Sequence, residues 1–323
     1  MQEAGFPAIH TGRDGWLFLT GGSNNVSDQF TRSIAMAWRL YRWRRLIVAR
    51  SSRFARLGID YRHVVVPDKI TIYDHRLGEG LDIRVGLSLA SRLGRSVRAR
   101  GDAGRAYLDL IAPFRERRDA ADLFHRNDTH WTFEGCLLAY RVICASVDAA
   151  PRDDFRERPC EVVRSAGDLG GKFDPAVVRA WPVYALQRDA RRVFASPVVR
   201  AREASGRSHT LHRGAHVVYA NATAGADPRR VLLFGDSFSH FTPTALTIML
   251  AETFREVHFI WSPGIDWRHV ARVRPDLVVT QIAERFLFHL ANDRFDLDAY
   301  AEQRFSEETR SLQSDPSACA GAR

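Results

Sequence analysis

The chain has 323 residues, 45% hydrophobic and 26% charged, ordinary proportions for a folded globular protein with room for one large α/β domain or two smaller ones. No run approaches the roughly 18 to 20 apolar residues of a membrane-spanning helix, and the four cysteines include no Cys-x-x-Cys pair, which argues against a zinc ribbon. The net charge of +9 is nearly all arginine, Lys69 and Lys172 being the only lysines; the arginines are spread along the chain, which disfavours a nucleic-acid-binding arm and leaves attraction to an acidic polysaccharide open.

The opening residues Met1 to Phe6 carry neither the basic nor the apolar segment of a secretory leader, as expected of a cytoplasmic protein or of one whose leader has been removed. Gly12-Arg13-Asp14-Gly15 reads as a turn running into a short apolar strand at Trp16 to Leu19. From Ser27 to Leu57 the pattern changes period: Phe30, Ile34, Ala37, Trp38, Tyr41 and Ile47 recur at three and four, predicting an amphipathic helix that Gly58 terminates. Tyr61 to Val66 reads as a buried strand stopped by Pro67-Asp68-Lys69. Polar residues after the carboxyl end of a parallel strand lie where open α/β sheets bind ligands, so Lys69 is a candidate substrate contact, or else a solvated loop lysine. Leu87 to Val97 is then expected as a helix and Ala106 to Ile111 as a strand.

In Asp128-Thr129-His130-Trp131-Thr132, residues two apart on an extended segment point to one side. Asp128 can then orient the imidazole of His130, an arrangement that serves acyl transfer when a serine is near and is otherwise a common structural hydrogen bond. Thr132 is placed to cap a helix with Phe133, Leu137, Tyr140, Cys144 and Val147 on one face. Cys136 and Cys144 lie too far apart on that helix for a disulfide; Cys160 is in a loop and Cys319 in the polar tail. Residues 151 to 230 are the least regular, and Gly167-Asp168-Leu169-Gly170 is a turn. His209, His212 and His216 have metal-like spacing only if helical, whereas their neighbours read as strand, so no metal is expected there.

Val231 to Phe234 is a continuous apolar run that breaks at Gly235-Asp236-Ser237, and helix-patterned residues follow from Thr242 to Phe254. A buried parallel strand ending in such a turn exposes a serine hydroxyl beside backbone N–H groups that can hold an oxyanion. A strand at Val257 to Trp261, a short helix at Trp267 to Val273, a strand at Asp276 to Ile282 and a helix from Glu284 complete a parallel α/β unit.

These pieces, in this order, resemble the SGNH-hydrolase-like proteins related to the alginate O-acetyltransferases of bacterial exopolysaccharide systems. The resemblance rests on Gly12 to Phe18, Val66 to Lys69, Asp128 to Thr132, Gly167 to Leu169, Gly235 to Ser239 and Pro275-Asp276 through Glu284-Arg285-Phe286, spanning roughly residues 12 to 290. It implies a flavodoxin-like parallel sheet flanked by helices, as one domain over residues 1 to 300 with a loop- and strand-rich insertion at about 151 to 230, and a polar tail over 301 to 323. It implies Ser237 as nucleophile, His130 as base and Asp128 as its orienting partner, the acid-histidine pair preceding the serine, with no cofactor. Acetyl transfer to polysaccharide hydroxyls in the periplasm, with the acetyl group supplied by a membrane partner, is the expected activity. An esterase with water as acceptor and a non-catalytic glycan-binding scaffold are the alternatives; Asp236 as a phospho-acceptor is disfavoured by the lack of a paired acidic cluster. Trp131 and Trp16 are candidates for stacking on a sugar, or core residues, and Arg285 is a candidate second oxyanion donor.

Overall fold

The computed structural model describes residues 8–313 except 82, 243 and 244, so Cys319 and the opening residues Met1 to Phe6 lie outside it. Its strands are β1 (Ile9–Thr11), β2 (Leu17–Leu19), β3 (Asp60–Val66), β4 (Tyr107–Asp109), β5 (Cys160–Ser165), β6 (Arg179–Tyr184), β7 (Arg191–Ala195), β8 (His216–Ala220), β9 (Asp227–Gly235), β10 (Phe254–Trp261) and β11 (Leu277–Ala283). Seven of them form one sheet in the order β4-β3-β11-β9-β10-β8-β7. The pairings from β4 to β10 are parallel; β8 and β7 add antiparallel strands at one edge. This is the parallel sheet with flanking helices that the sequence predicts, and two strands of the irregular 151 to 230 stretch extend it.

Near-continuous apolar runs suit strands covered on both faces. Val231 and Leu233 of β9 pack in the cluster that includes the helices Phe133–Ala145 and Leu246–Thr253, whereas the alternate residues Leu232 and Phe234 pack in the cluster of Phe54, Ile265 and Val270 on the opposite face. Thr132 caps Phe133–Ala145 as predicted, its hydroxyl accepting from Gly135 N at 3.3 Å. Among the described residues no helix is long and apolar enough to cross a membrane.

Several elements depart from expectation, among them the helix predicted from Glu284, which is only the 3-10 turn Glu284–Phe288. The helix predicted across Ser27 to Leu57 begins at Ile34 and runs to Arg56, and it buries a different stripe. Trp43 and Ile47 are buried and the Trp43 indole donates to Leu287 O at 2.8 Å, but Ile34 and Trp38 are 90% and 58% exposed. Two overlapping apolar stripes share this helix, and the long-range partners of Trp43 and of Arg50, which pairs with Asp293 at 2.6 Å, decide between them. At the other end, the helix Leu297–Gln313 carries the chain well past residue 301, with Glu308 bonded to Arg202 at 3.0 Å, so the polar composition there belongs to a solvated helix.

Candidate active site

Ser237 sits just beyond the carboxyl end of β9, in mid-sheet, the region where open α/β sheets place ligands. Its turn is tight: a Cβ added to Gly235 would lie 2.6 Å from the Ser239 Cβ, so only glycine fits. Asp236 fixes the turn. Its carboxylate accepts from Phe238 N at 3.0 Å, from the Gln281 side chain at 2.9 Å and from Ala283 N at 2.6 Å, which ties the turn to β11. Both carboxylate oxygens are engaged, so Asp236 is a structural brace. Ser237 to Ser239 form a single 3-10 turn, and the helix expected from Thr242 starts only at Leu246.

The second half of the site comes from the loop before Phe133–Ala145. Phe124 and Trp131 form an isolated antiparallel bridge and His125 N donates to His130 O at 3.1 Å, folding residues 125–130 into a hairpin-like turn rather than an extended strand. Asp128 meets His130 because the turn curls: its Oδ1 accepts from His130 N at 2.8 Å and lies 2.7 Å from His130 Nδ1. His130 Nε2 lies 2.8 Å from Ser237 Oγ. Residues 107 positions apart thus form one continuous chain of hydrogen bonds from hydroxyl to imidazole to carboxylate.

A second carboxylate reinforces the first. Asp168, in the turn Gly167–Gly170, accepts from Thr129 N at 2.7 Å and from the Thr129 hydroxyl, and its own N–H donates to Asp128 Oδ2 at 2.8 Å. Gly167 makes the approach possible: it has φ +63°, and a Cβ there would lie 2.6 Å from Asn127 O. The sequence marks Gly167-Asp168 as a turn; its link to Asp128 is a tertiary contact. Burial opposes charge on Asp128, but hydrogen bonds from the His130 ring, the nearby imidazole and the N–H groups of His130 and Asp168 outweigh it and hold the carboxyl well below the usual range.

The site opens on a cleft of about 530 Å³ lined by both His130 and Ser237. The β5–β6 ribbon forms one wall, presenting Trp181 and Tyr184, and Trp261 at the end of β10 also lines it. Trp181 packs on His125 with ring centroids 4.1 Å apart, and Tyr184 stacks on Phe133 at 4.2 Å. His240 also lines the cleft, and burial pushes its imidazole down to about 4.

The four auxiliary residues suggested by sequence stand behind the site instead of in the cleft wall's chemistry. Lys69 is buried, and its ammonium donates to the carbonyls of His125 at 2.8 Å, Arg126 at 3.2 Å and Asp128 at 2.8 Å. It pins the histidine loop and does not line the cleft that holds His130 and Ser237. Burial pushes Lys69 down to about 7, with Asp128 and Asp168 acting against the drop. Arg285 is buried, spans Asp68 and Thr129 at 3.4 Å each, and lies over the Phe238 ring, so it braces the loop from below and is not an oxyanion donor in the cleft. Trp16 is buried and stacks on Tyr73 at 4.1 Å. Trp131 touches the cleft but is 2% exposed, its ring set edge-on to Phe238 at 5.1 Å. A charged or aromatic residue beside a strand end reads the same in sequence whether it faces solvent or supports the loop beneath. Of the aromatics that line the cleft, Trp181 and Tyr184 lie in a stretch whose role only the β5–β6 pairing reveals.

The family model described as "SGNH hydrolase-like domain, acetyltransferase AlgX" matches residues 9–269. The chain belongs to this family. A curated relative, the probable alginate O-acetylase AlgJ of Azotobacter vinelandii, is 26% identical over 134 residues, which cover 42% of this chain and about a third (32%) of the relative's length. Two solved structures share the AlgX-family fold: the O-acetyltransferase domain of Pseudomonas putida AlgJ (TM-score 0.57, 16% identity, 93% of this chain and 100% of that one) and Bacillus cereus PatB1 with a sulfonyl adduct (TM-score 0.61, 14% identity, 90% and 99%).

Proposed function

We propose that this chain is an O-acetyltransferase that passes an acetyl group through Ser237 to hydroxyls of a bacterial polysaccharide. The observation that carries the reading is the hydrogen-bonded chain from Ser237 to His130 to Asp128, facing a cleft walled by aromatic rings. Membership of an acetyltransferase family supports the same reaction class.

His130 Nε2 takes the hydroxyl proton as Ser237 Oγ attacks the acetyl carbonyl. The carbonyl oxygen becomes an oxyanion beside the turn, with the Ser237 backbone N–H assigned as a donor. Collapse expels the donor's oxygen, which leaves with the proton from His130, and an acetyl-serine remains. A sugar hydroxyl then gives its proton to the same nitrogen, attacks the acetyl carbon, and the second collapse returns the proton to Ser237. Asp128 holds the imidazole with Nδ1 protonated and stabilises it while it is charged. Flat rings such as Trp181 and Tyr184 suit the apolar faces of a sugar, which favours glycan over a charged small acceptor. In keeping with the family resemblance, the reading places the reaction in the periplasm, with acetyl groups delivered by a membrane acyltransferase.

The test is where the acetyl group goes. Incubation with an activated acetyl ester and oligosaccharides of different charge, followed by mass spectrometry and NMR of the sugars, is expected to find O-acetyl-sugar formed by the wild type and absent with Ser237→Ala. Release of acetate alone, unchanged by any acceptor, favours an esterase using the same residues. No turnover of the ester at all contradicts both.

A further inference from the structure

We propose that His216, His258 and His269 form a binding site for one divalent transition-metal ion of the zinc class. The site shares only His216 with the His209–His212–His216 spacing visible in the sequence. His209 lies in the short turn Ser208–Thr210 and lines the active-site cleft, and His212 stacks on Trp261.

The three rings converge from separate elements. In the antiparallel pairing of β8 with β10, His216 lies opposite Ile260 and His258 opposite Val218, so both imidazoles leave the same face of the sheet. His269 comes down onto that face from the first turn of the helix Trp267–Val273, whose N-cap Asp266 accepts from His269 N at 2.9 Å. Ring centroids are 4.9 to 5.8 Å apart, and one nitrogen from each ring lies within 4.8 Å of the others.

A second observation points to a ligand. All three residues are more than nine-tenths buried, and each carries a buried ring nitrogen without a hydrogen-bond partner: Nε2 of His216, Nδ1 of His258 and Nε2 of His269. Buried polar atoms are nearly always satisfied, and three orphans of one chemical type in one place call for a shared partner. The outer contact of His258 fits a metal. Glu256 Oε1 lies 2.7 Å from His258 Nε2 and accepts its proton, which leaves Nδ1 as the lone-pair donor, the carboxylate–histidine arrangement common behind metal ligands. Arg230 holds Glu256 at 2.6 Å. Arg272 lies 2.8 Å from His269 Nδ1 and also pairs with Asp298 at 3.2 Å. On metal binding its half-exposed side chain swings to Asp298, and the His269 proton moves from Nε2 to Nδ1.

The donor set selects the ion. Three neutral imidazoles with no carboxylate suit zinc, cobalt, nickel or copper and not calcium or magnesium, and three protein ligands leave a fourth position for water. None of the three histidines lines the active-site cleft, so the ion would clamp the helix Trp267–Val273 to the strand that ends in the cleft residue Trp261.

The experiment uses the untagged full chain, stripped with chelator and titrated with zinc chloride or cobalt chloride. Native mass spectrometry is expected to show one zinc per chain at micromolar metal, with a rise in Tm on zinc addition. X-ray absorption of the wild-type adduct should count three imidazole nitrogens, a readout that needs no variant to fold. Glu256→Gln, which keeps all three ligands, should weaken zinc binding about 10- to 100-fold. Asp128, His130 and Asp168 form another cluster of metal-type donors, so His130→Ala is the control and should leave the stoichiometry unchanged. The proposal is overturned if no zinc binds at millimolar metal, if the bound zinc disappears with His130→Ala, or if fewer than three imidazoles coordinate it.

Discussion

The two sides of the cleft are built differently. The histidine loop is fastened to the core by polar groups from several elements: the buried Lys69 ammonium on three of its carbonyls, buried Asn127 donating to Ser165 O, Ala166 O and Val177 O at 2.8 to 3.0 Å, and exposed Asp168 and buried Arg285 on Thr129. The facing wall is a two-stranded ribbon whose residues are mostly exposed or half-buried. Two strands standing off the main sheet gain little burial and adapt readily, whereas a loop whose carbonyls at His125, Arg126, Asn127 and Asp128 are all occupied does not. For the acyl transfer proposed above, the difference implies a division of labour in which the fixed side would set the distances for proton transfer and the ribbon would set which acceptor is held.

Changes on the fixed side should therefore lower kcat, and changes on the ribbon should raise the acceptor KM. Asp128→Asn is the largest: loss of the correct imidazole tautomer is expected to lower kcat by about 10⁴-fold, read from initial rates with an acetyl ester. The same variant tests the electrostatics. Because the folded state holds the Asp128 carboxyl below its ordinary value of about 3.8, the charge favours folding at every pH above that value, and the contribution fades as pH falls through the folded-state value. Acid titrations should show wild type and Asp128→Asn differing most in stability above about pH 5 and converging at strongly acid pH.

Lys69→Met comes next. With the carbonyls of His125, Arg126 and Asp128 left without a donor, the loop shifts, and kcat should fall about 10- to 100-fold with little change in acceptor KM. Equal loss in both constants would place Lys69 in substrate binding and break the distinction. Trp181→Ala should do the reverse, raising the KM for an oligosaccharide by about tenfold while acyl-enzyme formation falls much less. A stability pair extends the comparison to the helix Ile34–Arg56. Trp43→Ala should destabilise by about 3–5 kcal/mol in denaturant titrations, whereas Trp38→Ala, 58% exposed, should stay within about 0.5 kcal/mol.

What the sequence disclosed follows the same line. Val231 to Phe234 announces a strand buried on both faces, and Gly235-Asp236-Ser237 and Asp128-Thr129-His130 mark, as a pair, a candidate serine turn and a candidate acid–histidine partner for it. Asp168 lies 40 residues from Asp128, and nothing local distinguishes it from a solvated turn aspartate. Lys69, Arg285, Trp16 and Trp131 are visible as unusual residues near strand ends and turns, but which way they face is decided by packing. Ile34 and Trp38 were expected in the core for the same reason: the helix carries two apolar stripes and sequence period cannot choose between them. The histidine trio is the extreme case, three residues from three elements with no shared motif.

The central claim is that Ser237 carries the acetyl group and His130 makes it able to do so. Brief exposure to an activated acetyl ester, acid quench and peptide mass spectrometry reads this directly. The account predicts a gain of one acetyl group confined to Ser237 in the wild type, with the adduct lost in His130→Ala and consumed when an acceptor glycan is added. An adduct on another residue, or equal labelling of Ser237 in wild type and His130→Ala, would contradict it.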